Sequence, residues 1–180
     1  MELRKKIVEY KTPKDFWQKI VRFAYLSFGI PLVAFIFVYL EWESENLSPY
    51  FAGDTLNIVG GLFLTASIYF GAEALRRAAF YRREARKEEK MQRKLNIYLE
   101  GATQKYKYLF FSAVTVTASL FITNLLIFPI TFAALIIIYS IGAPTLPNIA
   151  HDLGLKDQRK KDFMRNVPFA GDENSFNENN

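Results

Sequence analysis

"GGLFLTASIYFGAEALRRAAFYRREARKEEK", Gly60 to Lys90, changes character halfway. No charge precedes Glu73, whereas ionisable residues dominate from Arg76 onward. Such a stretch reads as a helix that leaves a hydrocarbon phase and enters water. Its apolar half belongs to an uncharged run from Thr55 to Ala72, and a second run extends from Phe23 to Leu40. Uncharged runs of about 18 to 20 residues match a bilayer core about 30 Å thick. The chain therefore reads as an integral membrane protein, although its mean hydropathy of only +0.02 conceals this.

A cleaved leader fits the first run poorly. The run starts only at Phe23, is as long as a span, and is followed by the acidic "EWESEN" instead of a small-residue cleavage site. Between Lys107 and Asp152 lies a third apolar stretch, interrupted only by His151. As one helix it would extend roughly 65 Å, too long for a single crossing. "TNLLIFP", Thr123 to Pro129, supplies a turn: Asn124 is polar, the residue before a proline avoids helix, and proline suits a first helical turn.

Charge counting gives the same number of crossings. Residues 1–22 carry seven cations and three anions, 41–54 carry four anions and no cation, and 76–107 carry eleven cations and four anions. Residues 152–165 add five cations against three anions. The positive-inside rule then places both termini and the 76–107 connector inside and the acidic loop outside, which needs an even number of spans. The expected architecture is an all-α four-helix membrane bundle of two hairpins. Its spans cover 23–40, 55–75, 108–123 and 129–150, with an external turn at 124–128. A basic amphipathic helix at 1–22 and a polar tail at 151–180 complete the plan, and "AGDENSFNENN" in that tail reads as disordered.

Beyond the second span, the absence of Gly and Pro from Arg76 to Lys94 predicts that the helix continues and stops before Gly101. The cations on this arm are Arg76, Arg77, Arg82, Arg83, Arg86, Lys87, Lys90, Arg93 and Lys94. They are candidates for contact with anionic headgroups or with a protein partner. Met91, Leu95 and Tyr98 or Leu99 form an apolar stripe that could pack on Phe16, Ile20 and Phe23. Nucleic acid is disfavoured as a partner, because the aromatic and glycine punctuation of an RNA-binding module is missing.

Within the spans the informative residues are small or hydroxylic. Ser112, Thr115, Ser119 and Thr123 share one helical face, with Asn124 at its end. Asn57, Gly60, Gly61, Ser67 and Gly71 supply small-residue pairs on the second span. Close helix packing is the plain reading of these positions, and a polar pore lining is the alternative. Glu73 precedes Arg77 by four residues and is expected to pair locally.

Catalytic signatures are missing: the chain contains no GxSxG, Walker-type loop, HExxH or GxGxxG. With no cysteine and one histidine, neither a classical zinc site nor haem ligation is expected, so no cofactor or metal is assigned. The layout is similar to that of many small four-span accessory proteins, a likeness of architecture that carries no motif. The sequence thus points to a non-catalytic accessory or scaffold subunit in a bacterial-type inner membrane. A homo-oligomeric channel and a tethered regulator of a nucleic-acid-handling partner are the alternatives.

Overall fold

In a computed structural model, which describes residues 8–169, the chain is all-helical, with six helices and no strand among the described residues. The helices are α1 (Pro13–Glu43), α2 (Gly53–Lys87), α3 (Met91–Thr123), α4 (Ile127–Ile141), α5 (Leu146–Asp152) and α6 (Asp157–Met164). Three of them, α1 to α3, are long and apolar enough to cross a membrane, so the chain is a multi-pass membrane protein by composition. The stretch "AGDENSFNENN" and residues 1–7 lie outside the described residues.

Two compact units divide the chain. The apolar unit comprises Phe23–Arg77 and Gln104–Ala143. The polar unit comprises Ala78–Thr103 together with the described parts of Met1–Arg22 and Pro144–Asn180.

In the apolar unit, α3 is the central helix: half of its most apolar window is buried, against 17% for α1 and 28% for α2. Its Leu109, Ala113, Val116 and Leu120 are buried. Aromatic stacking joins α1 to α4, with the rings of Phe35 and Phe132 3.7 Å apart and nearly parallel, and those of Phe28 and Tyr139 4.3 Å apart. The outward faces remain apolar: Ile30, Val33 and Phe37 on α1 and Ile58, Leu62 and Ile68 on α2 are at least 60% exposed. An apolar exterior around a core that contains hydroxyls is what a lipid solvent demands.

The polar unit has the opposite polarity. Phe16, Ile20, Leu95, Ile149, Leu153 and Phe163 make its core. Thr12 caps α1, accepting the Asp15 amide at 3.2 Å, and Pro13 opens the helix where its missing N–H does no harm. Two carboxamides on α3 bind the segment before α1 as a strand partner would. Gln92 accepts the Tyr10 amide at 3.0 Å and donates to the Tyr10 carbonyl at 2.8 Å. Asn96 does the same for Val8, at 3.1 and 2.8 Å.

Four expectations about helix limits change. The basic arm is not one helix to Gly101: α2 stops at Lys87 and α3 starts at Met91. Burial of Ala85 and Leu95 on either side of this turn outweighs the helix propensity of the Glu88, Glu89 and Lys90 that form it. Gly101 lies inside α3, where a side chain would collide with Tyr81 Cβ. It is there for close approach, not as a stop. The N-terminal amphipathic helix and the first span are a single helix from Pro13, with residues 8–12 non-helical.

The stretch expected as one helix over 129–150 is two. Helix α4 begins earlier than Pro129, at Ile127, which shortens the turn expected at 124–128. It ends at Ile141, and α5 follows after Gly142 to Thr145. Pro144 has no N–H with which to continue the helix, and Thr145 starts α5 by accepting the Asn148 amide through its hydroxyl. Lys105 Nζ and the Tyr106 hydroxyl both donate to the Gly142 carbonyl, at 2.9 and 3.2 Å, and so cap the C-terminal end of α4. The 15 residues of α4 make a helix about 22 Å long.

Candidate functional site

The small and hydroxylic residues form a seam where α2 meets α3. Ser112 Oγ donates to the Ser67 carbonyl at 2.9 Å and lies 3.3 Å from Ser67 Oγ. Both residues are buried, and a Cβ placed on Gly71 would stand 3.9 Å from Ser112 Oγ. Farther along α3, Ser119 donates to the Thr115 carbonyl and Thr123 to the Ser119 carbonyl at 2.7 Å. Hydroxyls that bond back to the preceding turn need no water or partner in an apolar phase. Thr117 does the same to Ala113 at 2.9 Å and is buried as well. Sequence reading missed Thr117 because it lies off the 112, 115, 119, 123 face, and only the deep burial of α3 on several sides places it inside.

Not every candidate joins the seam. Gly60 is buried, and a Cβ there would approach Leu125 Cδ1 to 2.6 Å. Gly61 and Asn57 instead face outward, and nothing lies within 4 Å of the Gly61 position. Asn124 anchors a loop. With φ at +54° it ends α3 in the left-handed conformation that asparagine tolerates, and its Nδ2 donates to the Leu47 carbonyl at 2.7 Å. Its own carbonyl accepts the Trp42 indole N–H at 3.1 Å.

A charged cluster lies at the Arg77 end of the apolar unit. Glu73, whose side chain is 7% exposed, accepts from Arg76 Nε and Nη2 at 2.7 and 2.9 Å and from Arg77 Nε at 2.7 Å. The Arg77 guanidinium also lies 4.9 Å from the centre of the Tyr108 ring, a cation–π distance. The local pair expected between Glu73 and Arg77 is present, and Arg76 makes it a triad. Both oxygens of the Glu73 carboxylate are thus engaged by the two guanidiniums.

The remaining arm cations belong to the polar unit and divide into two sets. Arg86 Nε and Nη2 donate to the Asp152 and His151 carbonyls, at 2.9 and 3.1 Å, at the C-terminal end of α5 where a cation opposes the helix dipole. Arg82 reaches the Asp152 carboxylate at 3.4 Å, and the Tyr98 hydroxyl donates to the same carboxylate at 3.2 Å. Lys94 is half-buried, and burial, with nearby Arg159, holds its ammonium below the ordinary lysine range. Arg82 and Arg86 are thus engaged within the polar unit. Arg83 and Lys90 are exposed, while Lys87 and Arg93 make only surface pairs with Glu84 and Glu88, at 2.7 and 3.2 Å. The stripe residue Leu95 is fully buried, and the Tyr98 ring meets that of Phe16 at 6.2 Å.

Among the described residues no group of three or more His, Cys, Asp or Glu side chains is placed to hold a metal ion. No protein-family model, curated protein or solved structure matches this chain. The site must therefore be interpreted from its own chemistry.

Proposed function

We propose that this chain is a non-catalytic four-span membrane protein that serves as an accessory or scaffold subunit of a larger membrane complex. The observation that carries the reading is the closure of the polar unit from three separate chain regions. Asp152 is held by Arg82 and Tyr98, and Tyr10 is held by Gln92. Regions joined this way share one side of a bilayer. The chain therefore leaves and returns twice, which supports a crossing by α4 as well as by α1 to α3. The positive-inside rule makes that side the cytoplasm of a bacterial-type inner membrane, with both termini there.

A folded unit held at the membrane, showing Arg83, Lys87, Lys90 and Arg93 to water, is suited to docking an acidic partner subunit. The hydroxyl seam supports this reading over a pore. Ser112 is satisfied by Ser67 of the same chain, whereas a pore lining would turn it toward a symmetry axis.

The test is purification of the tagged chain from its own membrane in mild detergent, with the mass of the complex and its components determined. The proposal expects a partner of fixed stoichiometry that is lost when Arg83, Lys87, Lys90 and Arg93 are changed together to Gln. A homo-oligomer that conducts ions would instead establish the pore. Co-purifying nucleic acid, released by salt, would point to the tethered regulator.

A further inference from the structure

Gln92 and Asn96 on α3 hold residues 8–10 by their main chain. Gln92 accepts the Tyr10 amide at 3.0 Å and donates to its carbonyl at 2.8 Å, and Asn96 pairs with Val8 in the same way at 3.1 and 2.8 Å. Four helical residues advance about 6 Å and two extended residues about 6.7 Å, so side chains at i and i+4 meet alternate residues of an extended segment. Such contacts are indifferent to sequence. Selectivity falls to Tyr10, which is buried, with its ring edge-on to Phe16 at 5.0 Å and the Lys19 ammonium 5.5 Å above it. Yet the Tyr10 hydroxyl, buried as well, has no hydrogen-bond partner among the described residues. An unpaired buried hydroxyl opposes burial, so phenylalanine would suit this pocket better than the tyrosine that fills it. The residues that follow are fastened separately. The Lys11 carbonyl accepts the Phe169 amide at 2.9 Å, Thr12 caps α1, and the Lys14 amide donates to Asn166 Oδ1 at 2.8 Å. Release of residues 8–10 would therefore leave the start of α1 in place.

We propose that Gln92, Asn96 and the pocket around Tyr10 form a docking site for an extended segment of a partner subunit, anchored by a phenylalanine, and that residues 8–10 occupy the site until that segment displaces them. Capture of an extended main chain with a side-chain pocket for specificity is a recurrent mode of peptide recognition. The resident segment acts as a built-in competitor weakened by one hydroxyl. Glu9 is exposed and Val8 is 41% exposed, so the anchor position alone is demanding. The inference deepens the accessory-subunit reading and rests on it for the source of the incoming segment. The two fail differently, because capture is measured on the purified chain alone, whereas the partner is sought in the native membrane.

The full chain in mild detergent is titrated into two fluorescein-labelled peptides of residues 8–12, one unaltered and one carrying Tyr10→Phe, with anisotropy as the readout. The Tyr10→Phe peptide should bind about fivefold more tightly, the factor that relief of one buried hydroxyl supplies. In the chain itself, Tyr10→Gly loosens the resident segment and should tighten binding of that peptide about tenfold, because apparent affinity rises with the fraction of open sites. Tyr10→Phe in the chain should do the reverse and weaken peptide binding about fivefold. That variant removes no packing contact, so a folding defect cannot imitate its effect. Asn96→Leu added to Tyr10→Gly should abolish saturable binding. Equal affinity of the wild-type, Tyr10→Gly and Tyr10→Phe chains would overturn the proposal. So would binding that survives Asn96→Leu, which would mean uptake by the micelle or by another surface. Failure of every chain to capture either peptide, alongside a partner of fixed stoichiometry in the native membrane, would remove this site and leave the accessory-subunit reading intact.

Discussion

Ser112 on α3 gives its hydroxyl proton to the carbonyl of Ser67 on α2 at 2.9 Å, so two helices rich in small residues are joined through a backbone acceptor. In a lipid phase such a bond is worth roughly 0.6 kcal/mol, and up to about 1.7. Ser112→Ala should lower stability by that amount in a mixed-micelle unfolding titration. Ser112→Leu should cost more, roughly 1 to 3 kcal/mol, because Gly71 and Ser67 leave the larger side chain no room. A leucine variant as stable as the wild type would show that the hydroxyl faces space instead of a packed seam.

Gly101 and Gly61 make opposite predictions from the same substitution. An alanine methyl at Gly101 would collide with Tyr81 Cβ, which cannot swing aside as the end of a flexible side chain can. Gly101→Ala should therefore destabilise by roughly 1 to 3 kcal/mol, a backbone shift being the only relief. At Gly61 a methyl meets nothing within 4 Å. Gly61→Ala should stabilise α2 by about 0.5 to 1 kcal/mol through helix propensity. Thermal unfolding of the two variants in one detergent checks both signs.

The contrast between these glycines also marks what the sequence could disclose. Spans were legible because lipid demands long uncharged runs, and Phe23 to Leu40 or Thr55 to Ala72 can satisfy no other solvent so well. The Ser112 face was legible because its residues recur at helical spacing. The turn between Lys87 and Met91 was not, since Glu88, Glu89 and Lys90 are good helix formers, and only the tertiary burial of Ala85 and Leu95 bends the chain there. Asn57 and Gly61 resembled packing residues by type, yet a helix carries small residues on any face. Which face meets α3 is fixed by the side chains of α3. For the same reason Arg86 looked like a free surface cation until α5 brought its carbonyls within reach.

Lys94 gives stability a pH dependence of known sign. Burial first, then Arg159, holds its pKa below the ordinary 10.5, while Glu88 opposes them. With the folded value depressed, the unfolded chain holds its proton more tightly. The penalty is complete below the folded pKa and is lifted as pH rises toward 10.5. Lys94→Met keeps the helix-forming stem without the charge. It should raise the unfolding temperature at neutral pH, and the gain should narrow as pH climbs through the alkaline range. A gain that stays constant with pH would assign the effect to packing alone.

The proposed crossing by α4 makes the sharpest prediction about topology. Its 15 residues reach about 22 Å, less than the roughly 30 Å of a typical hydrocarbon core, so a crossing requires local thinning of the bilayer or help from Gly142 to Thr145. Asp152 nevertheless accepts from Tyr98, which requires that the chain after α4 lie on the same side as the hairpin between α2 and α3. The chain contains no cysteine, so single cysteines report without background. Ser48→Cys, Lys90→Cys and Lys160→Cys each replace an exposed residue. In intact cells an impermeant maleimide should label Ser48→Cys alone, and the two lysine positions should react only after the membrane is opened. Labelling of Lys160→Cys together with Ser48→Cys would mean that α4 turns back within the bilayer. The Tyr98 to Asp152 bond could not then form in the membrane.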